Sequence, residues 1–476
     1  MVFEQGSPTD VVATLPADDG PQVAGLTRDF RTGARSPVEV TQAALARAEA
    51  INPALNAFLT LDHERALAAA RSSEARWRAG TPLSPIDGIP TTLKDIVWVR
   101  DWSVRYGSAT TPAAPYAEDA PSVRRLRDAG AVFIGLTTSP EFGWKAVTDS
   151  PAFGITRNPH DPSKTPGGSS GGAAVAAACG AGVLHLGTDG GGSIRVPASF
   201  CGIAGLKPTF GRVPAYPASA FGTVAHIGPM ARHAADLAPM LAAMSGRDLA
   251  DWAQGPGALA PLDAQLPPGF PFGARIGVWA EPPTGAVEPA VASAFAAALH
   301  RLEVLGAILE PITLPYADRV TDIFEKHWYT GAAKRLLSVP DEMRDDVDPG
   351  FLAIAAEGAT FSAVDLISAQ AERNAFGMAM DALSARYDFI VSPGVAVLPF
   401  TAGDLVPAGS GLKRWHLWAG FSFPINLSQQ PAAVIPLAPT PQGLPIALQI
   451  IGARGADGAV LAAAAALEGA LAGAGQ

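Results

Sequence analysis

Two short glycine-rich segments, each containing serine, hold the residues of this chain best suited to covalent chemistry. The first reads TPGGSSGG over residues 165–172, and the second reads GTDGGGSIR over residues 187–195. Glycine adopts positive φ at no steric cost, so three in a row can direct successive N–H groups into one small space. Such a nest suits the oxyanion of acyl transfer, and Ser193, which follows it, is placed to attack. Taken alone, either segment is equally compatible with a glycine-rich turn that holds a structural serine.

A serine nucleophile needs a base, and the sequence offers a candidate outside both segments. The chain has eight histidines, and none of them lies in either segment. Lys94 lies in the apolar stretch IPTTLKDIV at residues 89–97, whose β-branched residues predict a strand. Burial there would disfavour the ammonium form and lower the pKa of the amine, which would make it a base. Most lysines are solvated, so composition alone supports this role only weakly.

These segments, with others along the chain, resemble the amidase signature family of serine hydrolases. The resemblance covers roughly residues 24–470, and the joint pattern is long and specific. The matching stretches are DGIP at 87–90, KD at 94–95, GGSSGG at 167–172, DGGGSIR at 189–195, PASFCGIAGLKPT at 197–209, AHIGPMAR at 225–232 and GLPIALQIIG at 443–452.

The resemblance implies a Ser–Ser–Lys triad. Ser193 would be the nucleophile, Ser169 a relay held by a cis peptide bond, and Lys94 the base, neutral at the start of the cycle. The backbone N–H groups of Gly190, Gly191, Gly192 and Ser193 would line the oxyanion hole. The residues expected to hold the loop around the triad are Ser170, Thr188, Asp189 and Arg195.

The reaction that this triad implies is hydrolysis of an amide C–N bond through an acyl-enzyme on Ser193. It requires no metal ion and no organic cofactor, so the expected partners are a small-molecule amide and water. The histidines are scattered rather than clustered at metal-ligand spacing, and the three nearest the motifs, His160, His185 and His226, are expected to be structural.

Two aromatic-dense segments bear on the substrate. They read FEKHWY at residues 324–329 and WHLWAGFSF at residues 415–423. Aromatic residues in this part of the chain would shape the acyl pocket, although such stripes more often belong to a core. Because these segments carry few charges, we expect an apolar or aryl acylamide. The same acyl-transfer chemistry can also attack the carbonyl group of an ester or a carbamate.

The main alternative is the glutaminase (A) subunit of a tRNA-dependent amidotransferase, which shares the fold and delivers ammonia to a partner. Members of that group carry a tyrosine-rich segment for glutamine, whereas residues 351–373 here contain no tyrosine. An α/β-hydrolase needs a strand directly before its G-x-S-x-G turn, and three prolines in residues 157–166 argue against one. A catalytically dead binding protein is expected to lose part of the triad, which is intact here.

The composition of the 476-residue chain predicts a folded protein that binds neither nucleic acid nor membrane. Charged residues make up 16% of it, against ~25% in an average soluble protein. A net charge of −10 offers no counterion-release energy to a phosphate backbone. No signal peptide and no apolar run of ~18–20 residues is visible, so we expect a cytoplasmic location. Cys179 and Cys201 are expected to be buried free thiols, and an extended apolar surface would support a homodimer.

Alternating strand and helix patterns must position these residues. A helix predicted from Pro121 leads into a buried strand from Ala131, and the alternation returns from Arg275 onward. The sequence therefore predicts an α/β fold in one large domain, with a central mixed, largely parallel β-sheet covered by helices on both faces. Residues 1–22 are expected to form a loose arm and residues 23–476 the amidase domain, with its signature core at about 85–235. We interpret the Gly/Pro-rich stretch 255–273 as a surface excursion of that domain.

Overall fold

The strand that ends at Lys94 belongs to an eleven-stranded sheet at the centre of the computed structural model. The structure describes residues 15–16, 22–255, 259, 261–262 and 270–472. In chain order the strands are β1 (Phe58–Leu61), β2 (Pro90–Lys94), β3 (Val132–Thr137), β4 (Asp149–Ser150), β5 (Gly154–Ile155), β6 (Leu184–Asp189), β7 (Ala204–Lys207), β8 (His226–Ala231), β9 (Arg275–Val278), β10 (Ile308–Pro311), β11 (Phe389–Pro393), β12 (Ala432–Pro436) and β13 (Ala447–Ile451). The sheet order is β1-β3-β2-β6-β8-β7-β12-β13-β11-β9-β10, and β4 and β5 form a separate hairpin.

Helices cover both faces of this sheet, as the sequence predicted. They are α1 (Gln22–Thr32), α2 (Pro37–Leu55), α3 (His63–Arg78), α4 (Pro121–Asp128), α5 (Gly171–Ala178), α6 (Arg195–Cys201), α7 (Leu237–Met244), α8 (Pro289–Val304), α9 (Val320–Leu336), α10 (Pro349–Gly358), α11 (Ala363–Ser384), α12 (Phe423–Ser428) and α13 (Asp457–Ala472). Buried apolar side chains form one large core cluster and several smaller ones. The predicted α/β class in a single large domain is confirmed.

The mixed sheet is confirmed, but its parallel share is smaller than predicted. Four pairs of neighbouring strands are parallel, and they lie in two blocks, β3-β2-β6 and β11-β9-β10. The other six pairs are antiparallel. The reason lies in the connections, because a parallel pair needs a crossover, whereas β12 reaches β13 through ten residues without a helix.

Several boundaries differ from the sequence prediction. In the sequence, Ser36 and Glu39 predict a capping box that begins a helix, and Pro53 predicts that this helix ends just before it. It continues through Pro53 and ends only where Asn56 adopts the left-handed conformation and donates its N–H to Asn52. Helix α9 was not predicted at all, because its aromatic residues are buried on more than one side and give no clean amphipathic stripe.

Two predicted segments fall largely outside the described residues. Most of the expected arm at 1–22 does so, although Gln22 already belongs to α1. Most of the stretch 255–273 does so too, and the strands on either side of it belong to one sheet. Within the described ranges no single helix is long and apolar enough to cross a membrane, whereas the bent pair of α10 and α11 passes the same criteria by length and composition.

Candidate active site

Lys94 and Thr188 meet because they end two neighbouring parallel strands. β2 ends at Lys94, and β6 pairs with it and ends one residue after Thr188. The carboxyl ends of parallel strands lie at the same edge of a sheet, where α/β proteins build their sites. Lys94 Nζ lies 2.8 Å from Ser169 Oγ, 2.9 Å from Ser170 Oγ and 2.8 Å from Thr188 Oγ1. Three hydroxyl groups therefore surround the amine, and each of them can accept from it or donate to it.

The Lys94 side chain is completely buried and has no carboxylate partner within hydrogen-bonding distance in the described chain. Burial lowers the pKa of Lys94 well below its ordinary value, and the Asp189 carboxylate opposes this shift only in part. Loss of water disfavours the ammonium more than three neutral hydroxyls can stabilise it. The sequence prediction of a lysine with a depressed pKa is confirmed in direction.

Ser169 lies in a loop whose glycines are required by close backbone contacts. The Gly168–Ser169 peptide bond is cis, as the resemblance implied. A methyl group added at Gly168 would lie 2.7 Å from the backbone of Val147, and one added at Gly171 would lie 2.2 Å from Thr148 Oγ1. The Thr148 hydroxyl also donates to the carbonyl of Gly167 at 2.8 Å. The glycines thus let this loop sit tightly against the chain at 147–148, which fixes where Ser169 points.

The second glycine-rich segment presents Ser193 to the cavity described below. The Ser193 side chain is 4% exposed, and within the described residues its Oγ has no hydrogen-bond partner. The Ser170 N–H donates to the Ser193 carbonyl at 3.1 Å, which ties the two segments together. Ser169 and Ser193 line the same cavity.

The three glycines before Ser193 are not equivalent. Gly192 has a φ of +128° and donates its N–H to Asp189 Oδ1 at 2.8 Å. That N–H faces a carboxylate, so the prediction that it lines an oxyanion hole is wrong. Gly190 and Gly191 donate to no acceptor in the part of the chain that the structure describes, and Gly190 lines the cavity.

Gly190 and Gly191 are glycine for a steric reason that the sequence did not reveal. A methyl group at Gly190 would lie 2.8 Å from the Trp328 ring. One at Gly191 would lie 2.6 Å from Trp415 and 3.0 Å from Phe324. These aromatic side chains lie directly on the glycine backbone, so a larger residue at either position would have to displace a ring.

Below the loop lies a set of buried polar side chains that we call the polar floor: Asp189, Arg195, Asn426 and Gln449. The Arg195 guanidinium donates to both Asp189 oxygens at 3.0 Å, to Gln449 Oε1 at 2.8 Å and to Asn426 Oδ1 at 2.6 Å. The Asn426 amide donates to Asp189 Oδ1 at 2.9 Å. Burial would raise the pKa of Asp189, but Arg195 outweighs it and holds that pKa below its usual range. The floor therefore holds a fixed ion pair whose hydrogen bonds are satisfied.

The cavity above the triad has a volume of about 690 Å³. Five aromatic side chains that line it, which we call the aromatic wall, are Trp98, Tyr106, Tyr116, Phe221 and Trp328. Phe221 stacks on Trp328 with ring centroids 3.9 Å apart, and Trp98 lies 4.6 Å from Tyr116. A cavity of this size with flat aromatic sides accommodates a planar substrate group.

The structure brings every predicted site residue to this region, and it adds several that the sequence analysis did not assign. Asn426 and Gln449 belong to the polar floor, yet they lie more than 230 residues from Asp189. The other unassigned residues are Trp98, Tyr106, Tyr116 and Phe221. The amides carried a weak signal, because both lie in apolar segments where a polar side chain needs a partner.

The aromatic-dense segments contribute both to the pocket and to the core. Trp328 lines the cavity, whereas Trp418 and Phe423 are fully buried in the core cluster beside it. His160 and His185 bond to Cys201 O and Thr92 Oγ1, and neither lines the cavity. His226 does line it, and burial keeps its pKa well below the ordinary value.

The two cysteines follow the sequence expectation. Cys179 and Cys201 are buried free thiols, as predicted. Across the described ranges, no three or more His, Cys, Asp or Glu side chains come together as metal ligands would.

The fold and the site together define an α/β enzyme with a buried lysine between two glycine-rich serine loops. Comparison with known proteins specifies the family. The family model described as Amidase matches residues 39–461. The chain therefore belongs to the amidase signature family, and it is a hydrolase that acts on C–N bonds of linear amides.

Similar proteins differ in what they act on. Indoleacetamide hydrolase of Bradyrhizobium diazoefficiens is 35% identical, with 92% of this chain and 84% of that protein covered. The A subunit of the glutamyl-tRNA(Gln) amidotransferase of Chloroflexus aurantiacus is 34% identical, with 87% and 89% covered. The crystal structure of a bacterial aryl acylamidase superposes with a TM-score of 0.84 at 26% identity, with 94% and 96% covered.

Proposed function

We propose that this protein is a free-standing amidase that hydrolyses apolar or aryl acylamides through an acyl-enzyme on Ser193. The observation that carries the proposal is the contact between Lys94 Nζ and Ser169 Oγ at 2.8 Å in a fully buried site. A lysine that is neutral at the start of the cycle can act as a base, and Ser169 lies between it and the cavity that Ser193 lines.

In the proposed cycle, Lys94 takes a proton from Ser169 while Ser169 takes one from Ser193. Ser193 Oγ attacks the amide carbonyl, and the negative oxygen is stabilised by the free N–H groups of Gly190 and Gly191, with that of Ser193. The proton then returns from Lys94 through Ser169 to the leaving nitrogen, and the C–N bond breaks. Water then attacks the acyl carbon and gives a proton through Ser169 to Lys94. The bond from the acyl carbon to Ser193 Oγ breaks, the acid leaves, and the proton returns through Ser169 to Ser193. Removal of one oxyanion-hole donor in another serine hydrolase costs about 2.7–4 kcal/mol.

Ser170, Thr188, Asp189 and Arg195 would position these groups without taking part in bond changes. Ser170 and Thr188 hold the Lys94 amine from the sides away from Ser169. Asp189 accepts the N–H of Gly192 and is itself held by Arg195, so it fixes the loop that carries Ser193. Such preorganisation means that the donors need not reorganise when charge develops.

The aromatic wall supports an apolar or aryl substrate. Among the described residues that line the cavity, Asp189 is the one carboxylate, and its charge is paired with Arg195. A substrate with a free ammonium group, such as glutamine, would therefore find no unpaired anionic partner there. Esters and carbamates present the same kind of carbonyl to Ser193, so we extend the proposal to them as secondary substrates.

The second candidate is the glutaminase component of a tRNA-dependent amidotransferase. It is favoured by the 34% identity to a protein of that kind over most of both chains. The aromatic wall and the lack of an unpaired carboxylate among the described lining residues support the free-standing amidase instead.

Release of p-nitroaniline from 4-nitroacetanilide tests the proposal, with wild type and Ser193→Ala measured side by side and glutamine as a parallel substrate. Anilide turnover that disappears in the variant is the expected result. Ammonia from glutamine without anilide turnover would overturn the free-standing amidase and favour the amidotransferase component.

A further inference from the structure

A cationic side chain shares the cavity with the triad and takes no part in the proposed chemistry. Arg335 lies in the last turn of α9 and lines the same cavity as Ser169 and Ser193. Its guanidinium carbon lies 4.4 Å from the centre of the Phe142 ring and 4.7 Å from that of Tyr106. The guanidinium thus contacts two aromatic rings, and the residue lines the cavity.

Arg335 has no acceptor for its N–H groups within the described chain, and its Nε is buried without a partner. The charge of Glu141 acts on it, but the Glu141 oxygens already accept from Ser108 Oγ at 2.5 Å and from the Asp348 N–H at 2.6 Å. Burial lowers the pKa of Arg335, although a guanidinium keeps its proton at any ordinary pH.

Three cations that are more deeply buried than Arg335 have acceptors, whereas the half-buried Arg232, at another cavity, also has guanidinium nitrogens that are buried without a partner. Arg195 donates to the Asp189 carboxylate, whereas Lys207 and Arg373 donate to backbone carbonyls. A half-buried cation without a partner is costly unless something in the cavity satisfies it. The planar fork of an arginine held by aromatic faces matches a carboxylate, which it can bind through two parallel hydrogen bonds.

Phe142 and Gly143 connect Arg335 to the neighbourhood of the triad. A methyl group at Gly143 would lie 3.3 Å from Ser169 Oγ, so this residue lies against the relay serine. The ring of the preceding residue, Phe142, contacts the guanidinium. Because Arg335 lines the same cavity as Ser169 and Ser193, an aryl amide bound there would face both the triad and the guanidinium.

We propose that Arg335 binds an anionic substituent of the substrate, so that the preferred substrates are aryl amides that carry a carboxylate on the ring. Lys334 at the same cavity adds positive charge and would attract such anions. This inference rests on the proposed function and names the substrate class of the same site. Glutamine also carries a carboxylate, but it has no ring for the aromatic wall, and its ammonium group would find no unpaired carboxylate among the described residues of the cavity.

The test compares two pairs of amides in which a carboxylate replaces a nitro group of nearly the same shape. In the first pair, 4-nitroacetanilide and 4-acetamidobenzoate, the substituent leaves with the amine. In the second, 4-nitrobenzamide and 4-carboxybenzamide, it stays with the acyl group. For each amide, kcat/KM of wild type is divided by kcat/KM of Arg335→Gln, so differences in leaving-group reactivity cancel within each ratio.

The expected result is a ratio at least about 10-fold larger for the anionic member than for the nitro member in one of the two pairs. Arg335→Lys, which keeps the charge and loses the planar fork, should retain part of the discrimination. Equal ratios in both pairs would overturn the inference while leaving the amidase proposal standing. Arg386→Gln is the matched control, because Arg386 lies over the Tyr387 ring at 5.3 Å, away from the cavity lining, and should leave every ratio near one.

A binding measurement decides the inference if the wild type hydrolyses none of the four amides, which would contradict the proposed function. Titration calorimetry would compare 4-acetamidobenzoate and 4-carboxybenzamide binding to Ser193→Ala and to Ser193→Ala/Arg335→Gln. We expect the Kd of at least one of them to rise about 10-fold or more when Arg335 is removed. An unchanged Kd for both would overturn the anion site.

Discussion

The polar floor and the aromatic wall are built in different ways although both reach the same cavity, the floor through Asp189 alone among its described residues. The floor is fully buried, and Asp189 with Arg195 comes from one short motif. The wall is assembled from side chains that lie in separate parts of the chain, between Trp98 and Trp328. Hydrogen bonds and an ion pair hold the floor, whereas stacked rings hold the wall. The comparison indicates that one motif specifies the ion pair that holds the Ser193 loop, whereas the aromatic wall depends on packing between distant segments.

The largest effect on activity is expected at Ser193, the proposed nucleophile beside the polar floor. Ser193→Ala should lower kcat for 4-nitroacetanilide by about 10⁴-fold or more, because the acyl-enzyme cannot form. Ser199→Ala is a matched control, since Ser199 is buried and donates only to the Arg195 carbonyl of its own helix. Turnover by Ser193→Ala near that of the control would contradict the proposed nucleophile.

The base should give the next largest effect on activity. Lys94→Met removes the proton acceptor in a side chain of similar length, and kcat should fall about 10²- to 10⁴-fold. The wild-type rate should rise with pH as Lys94 loses its proton and level off well below pH 10.5, because burial lowers its pKa. A variant that kept this rising limb would point to another base.

The same pKa shift predicts how stability depends on pH. Between the folded-state pKa of Lys94 and its unfolded value near 10.5, the unfolded chain binds a proton that the folded chain lacks. This group therefore makes the free energy of unfolding rise with pH across that interval, and Lys94→Met should flatten the rise. Urea unfolding at several pH values checks it, and an unaltered slope would contradict the assignment.

Loss of the ion pair in the polar floor should lower the stability of the protein as well as its rate of catalysis. Arg195→Met leaves the Asp189 carboxylate buried without its ion partner, and we expect the free energy of unfolding to fall by about 3–5 kcal/mol. Arg275→Met is the control, because its ion pair with Glu310 is exposed and exposed pairs contribute little. If both variants lost the same free energy of unfolding, the buried ion pair of the polar floor would contribute no more to stability than an exposed ion pair, which would contradict this prediction.

A change in the aromatic wall should have the smallest effect, and it should weaken substrate binding rather than slow the chemical step. Phe221→Leu removes the ring stacked on Trp328, so KM for 4-nitroacetanilide should rise about 2- to 10-fold with little change in kcat. Acetamide, which has no ring, serves as the control substrate and should show a smaller change. A loss of kcat comparable to that of Lys94→Met would contradict the separation of chemistry from substrate choice.

The same contrast explains what the sequence could predict. The motifs located Lys94, Ser169 and Ser193, and the structure places the lysine in contact with the first serine. They could not reveal that Gly192 donates to Asp189, because the direction of one N–H depends on the packed loop. They also could not reveal α9, whose buried faces hide its helical period and which carries Trp328 and Arg335.

The fold shows the same limits. Alternating apolar strands and helices predicted the α/β class, since those signals are local. The six antiparallel pairs depend on which strands meet across long separations, such as β7 with β12. Cytoplasmic location, a homodimer and the absence of nucleic-acid or membrane partners stay predictions of the sequence.

The most direct test of the account is to find the residue that reacts. The enzyme would be treated with a fluorophosphonate, which forms a covalent adduct with activated serines, and the site mapped by peptide mass spectrometry. The account predicts a single adduct on Ser193, absent from Ser193→Ala and formed at least about 100-fold more slowly in Lys94→Met. An adduct on another residue, or one that forms at the wild-type rate in Lys94→Met, would contradict it.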